Sequence, residues 1–141
     1  MTIVIYHNPD CGTSRNVMDI ICASGADPVV VRYLKTGWTR GQLQGLFAAA
    51  GLTPRTALRV SKSPAEALGR TDPAVSDHTL LAAMLIHPVL VNRPIVCSPK
   101  GVRLCRPPEL VLDLLGHLPP GDLFTQDGTV IVTADGVRVP G

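Results

Sequence analysis

Four cysteines in 141 residues, at 11, 22, 97 and 105, form no C-x-x-C pair and stand beside no histidine at zinc-ligand spacing. That absence speaks against a dithiol redox motif and against a zinc ribbon. A chain of this length buries roughly two-thirds of the surface its unfolded form exposes. Neither disulfides nor a metal is therefore needed to hold a core, and a single domain over residues 1–141 is expected. What remains is a set of single thiols. Long apolar runs are also missing: a membrane helix takes roughly 18 to 20 such residues, and the longest obvious stretch, Leu80 to Ile86, falls far short. The opening MTIVIYHNPD has no basic leader and too short an apolar run for a signal peptide, so a cytoplasmic setting is expected. Aromatic residues make up only 4%, in no stacking cluster, and the net charge is only +2, which gives nucleic acid little to bind.

The charge that is present is uneven. Residues 1–62 hold seven Lys and Arg against three Asp and Glu, and residues 63–141 hold six against eight. Ten of the thirteen basic residues are arginine. Codon bias accounts for such a ratio. So does a use for the planar guanidinium fork, which grips oxyanions through two parallel hydrogen bonds.

Along the chain, TIVIY at 2–6 reads as a buried strand, followed by the turn-rich HNPDCG. Thr13 and Ser14 offer caps for a helix carrying Val17, Met18, Ile20 and Ile21 and closed by Gly25. PVVVRY at 28–33 supplies a second strand, so the first 33 residues form a βαβ unit with parallel strands. Thr39 opens a helix with Leu43, Leu46, Phe47 and Ala50, stopped by Gly51. Pro54 and the SPAEAL segment at 63–68 each offer a short helix, and SDHTLLAAMLIH at 76–87 a buried one ended by Pro88. Residues 52–87 thus read as a helical insertion. VLVNRPIVC at 89–97 and VRLC at 102–105 make a β-hairpin around Gly101, and Pro107 and Pro108 open a last helix through Leu115. From about 119 onward two Asp-Gly turns, at 127–128 and 135–136, suggest a hairpin in the tail. The order β-α-β, helices, β-β-α is that of an α/β thioredoxin-like fold with a mixed central sheet and a helical insert.

Cys11 falls between a strand and a helix, where unpaired backbone N–H groups and the helix dipole favour negative charge. A thiol there is shifted toward the nucleophilic thiolate. His7 and Arg15 are nearby cations, and Ser14 could donate a hydrogen bond to the sulfur. The structural alternatives are a small buried hydrophobe for Cys11 and a packing or capping residue for His7. The C-x5-R loop of cysteine phosphatases is absent, since position 17 is Val. Any bound oxyanion must draw its arginines from elsewhere. Three lie where arginine is costly: Arg93 inside an apolar run, Arg106 at a strand end, and Arg59 at the end of an expected helical turn. An arginine drawn into partial burial needs a partner, and few carboxylates lie near these three in sequence, so an exogenous anion would serve. Snorkelling to the surface or bonding to carbonyls is the alternative. Pro94, after Arg93, stands where thioredoxin-like folds place a cis-proline facing the active cysteine.

HNPDCGTSRN (7–16), RTALR (55–59) and VNRPIVCSPKGVRLCRPPELVLDLL (91–115) together resemble the glutaredoxin-linked bacterial arsenate reductase family in content, order and spacing, over roughly residues 3–118. The resemblance implies that Cys11 is the nucleophile and that Arg59, Arg93 and Arg106 bind arsenate and its intermediates. It also implies that His7 and Ser14 help lower the thiol pKa. No metal or bound cofactor is implied, with glutathione as co-substrate, glutaredoxin as partner and arsenic detoxification as the role. Two segments depart from the family pattern: Thr36 to Thr39 lacks its prolines, and the tail at about 119–141 matches weakly. Two other functions compete. A general monothiol glutathione-dependent oxidoreductase would need Cys11 but not three anion-gripping arginines. A non-catalytic Spx-like regulatory module tends to carry C-x-x-C where this chain has Cys11-Gly12-Thr13-Ser14. Cys22, Cys97 and Cys105 read as spectators.

Overall fold

The computed structural model describes residues 2–116 and the backbone of 123–124 and 130–132. The chain clusters into two compact units, Met1–Val31 with Arg93–Gly141, and Arg32–Asn92.

The first unit is built on a four-stranded mixed sheet. Strand β1 (Val4–Tyr6) pairs in parallel with β2 (Val29–Val31) and antiparallel with β3 (Ile95–Ser98), which pairs antiparallel with β4 (Gly101–Leu104). The spatial order β2-β1-β3-β4 puts β1 inside the sheet and β2 at an edge. This accounts for the contrast between fully buried Ile5 and half-exposed Val29 and Val30, three residues of the same apolar type. Helix α1 (Gly12–Ala23) crosses between β1 and β2. Its buried residues, Ser14, Val17, Ile20 and Ile21, recur at intervals of three and four, so they share one face. That face meets Ile3, Ile5 and Val96 of the sheet region, Cys105, and the apolar residues near the end of the described chain.

The expected last helix is a tight 3-10 helix at Pro108–Leu114. Val111 and Leu114, and likewise Leu112 and Leu115, are buried pairs three residues apart. Three residues per turn aligns each pair on one side. In the tail, β5 (Leu123–Phe124) pairs antiparallel with β6 (Val130–Val132), the hairpin pairing expected there; both Asp-Gly turns, at 127–128 and 135–136, lie outside the described residues.

The second unit contains a short helix α2 (Tyr33–Thr36), α3 (Arg40–Ala50) and α4 (Asp77–Ile86). Thr39 closes a capping box with Gln42 at the start of α3, and the Ser76 hydroxyl accepts from Thr79 N–H at the start of α4. Both starts fall where the sequence places them. The two short helices expected between them do not form. The turn after Pro54 ends because Leu58 bridges Val91 and Arg59 N–H donates to Leu90 C=O at 2.7 Å, converting the chain to extended backbone. The SPAEAL segment closes one α-turn, Leu68 N–H to Pro64 C=O, before Gly69 turns it away at φ 71°. One turn is less than helix propagation needs. The insertion therefore holds one regular helix, with turns over 54–57 and much of 61–75.

The run at 89–97 is also divided. Pro88–Leu90 forms a 3-10 turn, and β3 begins only at Ile95, after the cis Arg93–Pro94 bond. Pro94 has no N–H for a ladder, which explains the late start.

Candidate active site

The loop joining β1 to α1 is fixed by its own polar groups. His7 N–H extends the sheet pairing to Val31 C=O at 2.8 Å. Asn8 then organises the turn: its Oδ1 accepts from Asp10 N–H at 3.0 Å and its C=O from Cys11 N–H at 3.1 Å. Its own N–H donates to Ser14 Oγ at 3.1 Å. Asn8 is only 3% exposed and is not among the residues picked out from sequence. The signal for it was the Asn-Pro-Asp order, which favours a turn closed by an Asn side chain.

Helix α1 starts at Gly12, one residue before the cap expected from Thr13 and Ser14, and Cys11 itself is the N-cap residue, with extended φ −98° and ψ 122°. This changes what Ser14 does. From the N3 position its backbone N–H approaches the Cys11 sulfur, without closing a full cap hydrogen bond. Its hydroxyl lies on the buried stripe of α1 and is used elsewhere, 2.6 Å from His7 Nδ1 and accepting from Asn8 N–H. The expected hydroxyl-to-sulfur bond is thus replaced by a backbone interaction. His7, 7% exposed, joins the loop through Ser14. Arg15 folds back over the loop, its Nη1 donating to Pro9 C=O at 2.7 Å.

Two arginines from distant sequence reach the sulfur. Arg93, 7% exposed, donates from Nε to Cys11 Sγ at 3.1 Å. Arg106 donates from Nη1 to the same sulfur at 3.7 Å and to Arg93 C=O at 3.1 Å. The Arg93 carbonyl thus anchors the second guanidinium while the Arg93 side chain supplies the first. Burial pushes the Cys11 thiol up. The Ser14 N–H, the Arg93 charge and the hydrogen bonds from Arg106 and Arg93 outweigh it, and the thiol lies below its ordinary value.

The other cysteines run the opposite way. Burial pushes Cys105 up to about 12, and it raises Cys97 and the exposed Cys22 as well, with Asp19 and Asp27 adding repulsion at Cys22. All four thiols are free. Among the four thiols, Cys11 alone combines a lowered pKa with guanidinium donors on the sulfur, a setting that shifts a thiol toward its more nucleophilic form.

Arg59 belongs to the second unit. It is 7% exposed, its Nε donates to Ser61 C=O at 3.0 Å, and its own carbonyl accepts from the Ser63 hydroxyl. That unit also has a cavity of about 390 Å³ between α3 and α4, lined by Arg40, Phe47, Asp77 and His78 among others, and by none of the candidate site residues. Among the described residues, no three His, Cys, Asp or Glu side chains gather into a metal-holding set, and no helix is long and apolar enough to cross a membrane.

A mixed sheet with a single N-capping thiol of lowered pKa, and two arginines converging on its sulfur, defines a thioredoxin-like protein with a site suited to anion chemistry. The model of the ArsC family matches residues 6–114, and the chain belongs to that family. An arsenate reductase of a Synechocystis species, ArsI2, is 61% identical over 97% of this chain and 98% of its own length. The arsenate reductase of Escherichia coli K12 is 44% identical over 97% of each. Among solved structures, an arsenate reductase from Vibrio cholerae superposes with a TM-score of 0.76 at 39% identity, covering 82% of this chain and 98% of that one.

Proposed function

We propose that this chain reduces arsenate to arsenite at Cys11, drawing its electrons from glutathione and glutaredoxin in the cytoplasm. The observation that carries the reading is the pair of guanidinium donors on one depressed thiol, Arg93 Nε at 3.1 Å and Arg106 Nη1 at 3.7 Å. Thiolate and oxyanion repel each other, and two fixed cations offset both charges. Relatives at high identity along nearly the whole chain are named arsenate reductases. The family resemblance adds Arg59 as a third oxyanion-binding arginine.

The Cys11 thiolate sulfur bonds to arsenic(V), and one arsenic hydroxyl takes a proton from solvent and leaves as water. Glutathione displaces a second hydroxyl, again as water, so that arsenic carries both sulfurs. A glutaredoxin thiolate attacks the glutathione sulfur, forming a mixed disulfide. The electron pair of the sulfur–arsenic bond passes to arsenic, which becomes arsenic(III). Water then hydrolyses the Cys11–arsenic bond, releasing arsenite and restoring the thiol. Phosphate is bound by the same forks but is not reduced by thiols.

The test is arsenate-dependent NADPH consumption with glutathione, glutaredoxin and glutathione reductase. Turnover that Cys11→Ser abolishes is the expected result. A wild type without arsenate-stimulated turnover sinks the proposal. Ala at Arg93 or Arg106 should weaken arsenate use far more than exchange with a neutral mixed disulfide; equal losses would favour a general oxidoreductase.

A further inference from the structure

Gly12 has no evident structural reason to be glycine. It is the first residue of α1, outside the positive-φ set, and glycine is the least favourable residue for a helix apart from proline. Nor do the described residues fill the space beside it. Among them, and apart from its own chain neighbours and helix backbone, a Cβ added there meets one atom within 4 Å, Arg15 Nη2 at 3.8 Å, an ordinary contact with the end of a flexible side chain. A glycine that neither its backbone nor packing among the described residues requires, next to a nucleophile, marks a place where another molecule comes close to the main chain.

Arg15 is the residue that borders this gap. It stands one helical turn after Cys11, its N–H bonded to the Cys11 carbonyl at 3.0 Å, and its side chain runs back toward the helix start. The bond from Nη1 to Pro9 C=O pins the guanidinium across the loop, with Nη2 over Gly12. Nη2 is thereby placed at the helix start, where it can meet a group arriving at Cys11.

We infer that the gap over Gly12 admits the second thiol of the reaction and that Arg15 receives a carboxylate of the molecule carrying it. The inference rests on glutathione being that thiol, since glutathione presents two carboxylates, on its glycyl and γ-glutamyl ends. The step served is displacement of an arsenic hydroxyl by the glutathione sulfur, with water leaving and no change of oxidation state. Arg15 holds the incoming molecule and takes no part in the bond changes.

The experiment compares kcat/KM for glutathione, its glycyl monoethyl ester and its diethyl ester in wild type, Arg15→Ala and Arg15→Lys. The wild type should favour glutathione over the diester by about tenfold or more, as for a charge-assisted carboxylate contact. Arg15→Ala should bring the ratio close to one, and Arg15→Lys should recover part of it. Loss of preference with the monoester assigns the glycyl carboxylate; preference kept by the monoester and lost with the diester assigns the γ-glutamyl one. Gly12→Ala should raise KM for glutathione severalfold while leaving the melting temperature and the pH midpoint of Cys11 alkylation in place. The assignment is overturned if Arg15→Ala slows glutathione and diester equally, or raises KM for arsenate as much as KM for glutathione. A wild type that reduces arsenate with another thiol and never with glutathione overturns the electron-donor reading along with it. Turnover with glutathione that Arg15→Ala leaves unchanged overturns this assignment alone.

Discussion

Arg93 Nε and Cys11 Sγ, 82 positions apart in the sequence, lie 3.1 Å from each other in the interior of the first unit. The contact works in both directions. The sulfur, when ionised, gives the buried guanidinium a negative partner, and the guanidinium offsets the charge that burial would otherwise penalise.

Removing Arg93 should therefore leave Cys11 with the burial that raises its pKa and without a main influence that lowers it. In Arg93→Ala the pH midpoint of iodoacetamide alkylation moves upward. Reductase turnover falls by roughly 10- to 100-fold, the equivalent of losing a hydrogen bond to a charged group at about 1.5–3 kcal/mol. Lysine at this position keeps the charge but not the fork, so it should recover only part of the loss. An alkylation midpoint unchanged in Arg93→Ala would show that the contact does not tune the thiol.

A depressed thiol also ties stability to pH. Because the pKa of Cys11 is lower folded than unfolded, the unfolded chain binds more protons between the two values, and stability rises with pH across that window. The contribution is complete above the ordinary thiol value and is lost as pH falls through the folded one. The melting temperature of wild type minus that of Cys11→Ser should consequently grow from mildly acidic to alkaline pH. A difference that stays flat contradicts the linkage.

Ser14 separates two routes to the same thiol. Its backbone N–H approaches the sulfur, whereas its hydroxyl serves His7 and Asn8. Ser14→Ala keeps the first and removes the second, leaving the N–H of buried Asn8 without its acceptor at a cost of about 1–3 kcal/mol. The expected outcome is a clear drop in melting temperature with an alkylation midpoint that moves less than in Arg93→Ala. The reverse order would restore the hydroxyl as the group acting on sulfur.

These distinctions mark where sequence reading ended. Cys11 could be singled out because the start of a helix favours the thiolate, and Arg93 and Arg106 because arginine in or beside an apolar run is costly without a partner. The βαβ start and the hairpin around Gly101 followed from β-branched runs and turn residues. The helix start was misplaced because Thr13 and Ser14 are better caps than cysteine in general, whereas here Asn8 and the loop bonds fix Cys11 at the cap. The failed helix at 54–59 has a similar origin, since the bridge from Leu58 to Val91 joins residues 33 positions apart and leaves no local sign. The same applies to the role of Asn8, whose partners become neighbours only once the loop has closed.

Cys105 provides a control within the same molecule. It is fully buried, its thiol is pushed up to about 12, and it packs in the core with Ile3, Ile5 and Val96. Such a thiol is protonated and inaccessible at neutral pH. Iodoacetamide at pH 8 should label Cys11 in the native protein and Cys105 only after denaturation. Cys105→Ala should retain reductase activity while losing about 1–2 kcal/mol of stability. Activity lost in a folded Cys105→Ala protein would give that thiol a part in the reaction.

Arg55 is an arginine whose task the sequence did not disclose. Its guanidinium donates to three carbonyls, Nη1 to Arg70 at 3.0 Å and Nη2 to Asp72 at 2.9 Å and Val75 at 3.0 Å. The segment between Arg59 and α4 has little regular structure, so few ladder bonds hold it, and a single fork ties its far end back to the turn after Pro54. Each bond is partly exposed to water, which limits the total to about 2–3 kcal/mol. Arg55→Ala should lower the melting temperature by several degrees and speed proteolysis within residues 60–76. It should leave the alkylation midpoint of Cys11 in place, because none of its three partners is a group that tunes that thiol. Lysine, a point charge without the fork, cannot reach all three carbonyls and should restore less than half of the lost stability. Cleavage at the wild-type rate in Arg55→Ala would show that the segment is held by other contacts.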